Sequence, residues 1–125
     1  PPRLLTGSAR ATEALVFCGD RLVSAAADGV LRVWDPARGV EVARTVVGSP
    51  LFHLAAAPRG DLVASVGFDR TIRLHHLAAG GVTDALSWHR AAVAGLTWAG
   101  TTLVSGDADG QVALWDVAAP AAAPP

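Results

Sequence analysis

The chain repeats itself, and that repetition constrains its fold more than any single residue does. Segments reading LVSAAADGVLRVWD (Leu22 to Asp35), VASVGFDRTIRLHH (Val63 to His76) and LVSGDADGQVALWD (Leu103 to Asp116) align without a gap. Four landmarks keep the same spacing: serines Ser24, Ser65 and Ser105; aspartates Asp28, Asp69 and Asp109; closing rings Trp34, His75 and Trp115; and lead-in residues Ser8, Ser49 and His89. Each series steps by 41 and then by 40. A period of that length marks stacked supersecondary units rather than one irregular core.

Inside each unit the pattern is β. Short alternating apolar runs are cut by Asp-Gly, Pro-x-Gly and Gly-Gly turn signals every eight to twelve residues. Four strands, a to d, are expected per unit. Strand a carries Thr12, Leu15 and Phe17, then Leu51, Leu54 and Ala56, then Val93, Leu96 and Trp98. Strand b begins at Leu22, and the following Asp28-Gly29 or Asp109-Gly110 suits a hairpin that needs positive φ. On strand c, Leu31, Val33, Ile72, Leu74, Val112 and Leu114 point one way, while Arg32, Arg73 and Ala113 point the other. Strand d is expected at Val40 to Val47 and at Val82 to Ser87, but Asp116 is followed only by Val117 and an Ala/Pro tail. A spare d strand is expected at Arg3 to Gly7, where Leu5 aligns with Val46 and Leu86.

These residues resemble the WD40 repeat family from about Arg3 to Val117. Trp34-Asp35 and Trp115-Asp116 are similar to its Trp-Asp dipeptides, and Ala57-Pro58-Arg59-Gly60 to its Ser-Pro-Asp-Gly turn. The resemblance implies an all-β fold of three four-stranded antiparallel propeller blades, an incomplete ring as a single chain. Residues 1–117 would hold a d strand at 3–7, blade 1 at about 8–48, blade 2 at about 49–88 and blade 3 at about 89–117, with 118–125 as tail or linker. It also implies a buried tetrad of His, Ser or Thr, Asp and Trp in each blade. The full set is expected in the third: His89, Ser105, Asp109 and Trp115. Partial sets are expected at Ser24, Asp28 and Trp34, with Ser8 in the His position, and at Ser65 and Asp69, with Ser49 for His and His75 for Trp.

Closed propellers use about four to eight blades, so three leave two flanks open. The chain starts with Pro rather than Met. It reads as a piece of a larger propeller, as half of a homodimer whose N-terminal strands complete the partner's third blade, or as an open arc.

The remaining composition excludes more than it assigns. Ten Lys+Arg against eleven Asp+Glu give a formal charge of −1, which supplies no field to draw nucleic acid or an anionic membrane. Cys18 is the single cysteine, so no internal disulfide forms and a reducing, cytoplasmic location is expected. His75 and His76 are adjacent on one strand and face opposite ways. No metal, cofactor or catalytic residues are expected, and no phosphate loop or nucleophile elbow appears. Function is therefore expected at the turns. Arg10, Phe68, Arg70 and Arg90 should share the end formed by the d–a and b–c turns, with Phe68 standing where the other units have Ala27 and Ala108. An exposed aromatic beside arginines suits a protein partner; inter-blade packing is the alternative for Phe68. The expected role is a protein-interaction scaffold. The alternative is a non-catalytic piece of a propeller enzyme, or the regulatory arm of a multidomain signalling protein.

Overall fold

Apolar alternation with a period of two builds strands wherever a Gly-containing turn lets the chain reverse. The computed structural model describes residues 3–7, 10–77 and 81–117. Among them run β1 (Thr12–Cys18), β2 (Arg21–Ala26), β3 (Val30–Asp35), β4 (Val40–Val46), β5 (Leu51–Ala56), β6 (Leu62–Gly67), β7 (Ile72–His76), β8 (Gly81–Leu86), β9 (Val93–Ala99), β10 (Thr102–Asp107) and β11 (Val112–Asp116). They form antiparallel sheets in the orders β1-β2-β3-β4, β5-β6-β7-β8 and β9-β10-β11. The first strands β1, β5 and β9 lie side by side from blade to blade.

The three central hairpins share one register. Ser24 faces Arg32, Ser65 faces Arg73 and Ser105 faces Ala113, while Leu22, Val63 and Leu103 face Trp34, His75 and Trp115. Each central hairpin therefore has one face carrying serine and the closing ring, and a second face without polar side chains at its centre. The apolar face of one blade packs on its successor. Val23, Ala25, Leu31 and Val33 meet Leu51 and Val63; Ala64, Val66, Ile72 and Leu74 meet Val93 and Leu103, with Trp98 and Trp115 at the margin. Trp98 also donates its indole N–H to the Ala55 carbonyl at 2.9 Å, tying the first strands of blades 2 and 3.

Among the described residues, blade 3 has no successor. Leu31 and Val33 are 1% and 6% exposed and Ile72 and Leu74 are 0% and 4%, yet the equivalent Val112 and Leu114 are 68% and 71% exposed. Leu15 and Phe17, on the far face of blade 1, are exposed likewise.

One expected element is corrected. Arg3 to Gly7 joins no strand ladder. The segment lies against blade 1 instead: the Arg3 guanidinium donates to the Pro36 carbonyl at 2.7 Å, and Gly7 sits beside Trp34, Arg32 and Glu41. A strand of this length gains little without a sheet edge to pair with, and the arginine finds its acceptors in the turn after β3.

Candidate functional site at the turn face

The serine-bearing faces hold one polar relay, in blade 3, and separate polar pairs in blades 1 and 2. In blade 3, Trp115 donates to the Ser105 hydroxyl at 2.9 Å, Ser105 lies 2.6 Å from His89 Nε2, and His89 Nδ1 lies 2.6 Å from Asp107 Oδ2. A carboxylate only accepts, so Nδ1 carries the proton and Nε2 is left to accept from Ser105. The acid in this relay is Asp107 and not Asp109, which corrects the expectation. Ser105 and Asp107 are two residues apart on β10 and share a face with His89, whereas Asp109 is exposed in the turn and gives its own N–H to Asp107 Oδ1 at 2.9 Å. The bond from His89, helped by the N–H groups of Gln111 and Asp109, holds the Asp107 carboxyl below its ordinary range against the opposing effect of burial.

Blades 1 and 2 pair their acids with arginine instead. Trp34 donates to Ser24 at 3.0 Å, and His75 Nε2 lies 2.7 Å from Ser65. The turn acids Asp28 and Asp69 accept from Arg32 and Arg73 at 3.0 and 2.7 Å and from the amides of Val30 and Thr71. The arginines of β3 and β7 thus pair with the turn acids from a register position that blade 3 fills with Ala113. Ser8, expected in the His position of blade 1, falls outside the described residues. Arg73 holds the Asp69 carboxyl below its usual range against desolvation, with help from the Thr71 amide. Burial first, and the Arg73 charge second, push His75 down to about 4.

Phe68 and Arg70 stand on the b–c turn of blade 2, and both depart from the other blades. Phe68 is 72% exposed and its ring meets Phe52 edge-on, with centroids 5.1 Å apart at 61°. Its backbone is clamped, because Phe68 N–H donates to the Pro50 carbonyl at 3.1 Å and a Cβ on the preceding Gly67 would strike that carbonyl. Arg70 has φ +62°, where the equivalent residues are Gly29 and Gly110. Glycine adopts that conformation freely and arginine does not. The Arg70 side chain donates to the Arg90 carbonyl at 2.7 Å, linking this turn to the d–a connection of blade 3. Arg10 and Arg90 are exposed on the same end. Beneath Phe68 lies a groove of about 340 Å³ lined by Glu13, Ala27, Pro50, Leu51, Phe52 and Phe68. Phe52 and Glu13 were not foreseen, since their place in the groove depends on how blades 1 and 2 dock. No group of three or more His, Cys, Asp or Glu among the described residues converges as a metal site.

The model of the WD domain, G-beta repeat, matches residues 11–35, 42–76 and 80–116. This chain belongs to the WD40 repeat family. It is similar to the pre-rRNA-processing protein IPI3 of Mycosarcoma maydis, at 34% identity over 60% of this chain and 13% of that protein. It is also similar to the F-box/WD repeat-containing protein sel-10 of Caenorhabditis elegans, at 32% over 82% of this chain and 18% of the other. The ribosome biogenesis protein WDR12 homolog of Trichoplax adhaerens matches at 29% over 94% and 29%. The WD40 chain thus spans less than a third of each of these relatives. Among solved structures, the RRP9 WD40 repeats superpose with a TM-score of 0.86 at 24% identity, covering 93% of this chain and 38% of that one, which shows the shared fold.

Proposed function

We propose that this WD40 chain is a non-catalytic protein-recognition module whose turn face, centred on Phe68 with Arg70 and Arg90 beside it, receives the partner. The observation that carries the reading is Phe68 itself: a large aromatic ring held in water by a backbone clamp, above an apolar groove. A rigid, exposed aromatic at a concave site is the common anchor of protein interfaces. Arg70 adds a second mark: kept at positive φ where the other blades have glycine, it is held by its bond to the Arg90 carbonyl and sets a charge beside Phe68. The relatives' names speak of pre-rRNA processing, of ribosome biogenesis and of an F-box protein. What they share is the repeat, which supports protein recognition without naming a partner or compartment; a cytoplasmic location remains our reading from the lone cysteine.

The test is affinity capture with wild type, Phe68→Ala, Arg90→Ala and, from the opposite end, Arg59→Ala. Partners held by wild type and Arg59→Ala but released by the first two variants support the face. Equal capture by all four sinks it. As a second reading we propose a second copy of the chain as a partner of the open flanks, favoured by the exposure of Val112 and Leu114 where their equivalents are buried.

A further inference from the structure

We propose that the groove between blades 1 and 2 takes the side chain of a lysine, free or methylated, presented by the protein partner; this rests on the reading of the turn face above and adds its chemistry. The lining is the first argument. Five of the six residues are apolar, and the sixth, Glu13, contributes the groove's one charge. Glu13 has no ion-pair partner among the described residues.

The rings are the second argument. Phe52 meets both Phe68 and His53 edge-on, at 61° and 77°, and the Phe68 ring, 72% exposed, offers the surface that attracts a cation. Two angled rings and a carboxylate make a corner complementary to an ammonium group, while Pro50, Leu51 and Ala27 suit the four-carbon stem that carries it. Neighbouring arginines do not fill the corner. Arg70 is turned toward blade 3 by its bond to the Arg90 carbonyl, and neither Arg10 nor Arg90 lines the groove. A leucine side chain would leave the Glu13 carboxylate partly desolvated and unmatched. An acidic one would be repelled.

The test is an amide-resolved NMR titration of the chain with capped pentapeptides of sequence Gly-Ala-X-Ala-Gly, X being lysine, trimethyllysine, leucine or glutamate. The lysine and trimethyllysine peptides are expected to shift the amides of Glu13, Phe52 and Phe68 saturably, with the leucine and glutamate peptides at least about fivefold weaker. Glu13→Gln and Phe68→Ala should each weaken the lysine peptide by about fivefold while leaving the spectrum dispersed, since both side chains project into solvent. A leucine peptide that binds as tightly as lysine, unaffected by Glu13→Gln, overturns the cation proposal and leaves the turn face standing as an apolar dock. No saturable shift at the groove with any peptide overturns it too, and the capture experiment then judges the turn face by itself.

Discussion

His89 with Asp107 in blade 3, and Arg32 with Asp28 and Arg73 with Asp69 in blades 1 and 2, do comparable work: each serine face carries an N–H donor and an acid that accepts from it. Where the lead-in residue is Ser49, β7 brings an arginine; where it is His89, β11 brings Ala113. Asp107→Ala should leave the buried His89 Nδ1–H without an acceptor and cost about 2 to 3 kcal/mol, whereas Asp109→Ala, in the exposed turn, should cost under about 0.5 kcal/mol. Urea unfolding of the two variants separates them, and equal losses would return the role to Asp109. His75 gives a pH signature. Its folded value of about 4 lies below the ordinary 6.5, so between those limits the unfolded chain takes up a proton that the folded chain refuses. Stability from this group is whole above pH 6.5, falls as pH drops toward 4 and then levels, by about 3 kcal/mol in all. Unfolding midpoints at pH 7 and pH 5 should differ accordingly in wild type, and much less in His75→Phe, which cannot take the proton.

At the scale of elements, the strands were legible because alternation and turn chemistry agreed at three places separated by a fixed spacing. The registers of Ser24 with Arg32, Ser65 with Arg73 and Ser105 with Ala113 follow from that agreement. The N-terminal strand was not legible for the opposite reason. Aligning Leu5 with Val46 says what a residue resembles, but a strand exists only with an edge to pair with, and the Arg3 bond to Pro36 draws the segment onto blade 1. The relay acid was misplaced because the repeat alignment weighs Asp28, Asp69 and Asp109 equally, while the period-two face of β10 selects Asp107, whose counterparts Ala26 and Gly67 are not acids. Phe68 and Arg70 could be found because they break the repeat. Glu13 and Phe52 break nothing, and their groove arises only when the ends of β1 and β5 are brought together beside the turn of blade 2.

At the scale of the molecule, the two open flanks are the opposite halves of one kind of contact. Leu54 and Ala56 pack against the cluster between blades 1 and 2, and Leu96 and Trp98 against the one between blades 2 and 3; Leu15 and Phe17 hold the same positions on blade 1 and are 60% and 62% exposed. Val112 and Leu114 supply the complementary half on blade 3. On the second reading proposed above, another copy would dock head to tail, and such a contact either closes into a ring or grows, depending on the arc. Light scattering of the chain should show mass above the 12.7 kDa of one copy, rising with concentration, as a discrete dimer if two arcs close and as a broad distribution if they do not. Joint replacement Val112→Lys and Leu114→Lys should return the chain to monomer with its strands intact, because both side chains already stand in water. Leu74→Lys, at the equivalent buried position, should instead unfold it, since an unpaired ammonium would enter the contact between blades 2 and 3. Wild-type chain that stays monomeric at high concentration would show that these flanks do not recognise each other, and that an occupant of different shape is required.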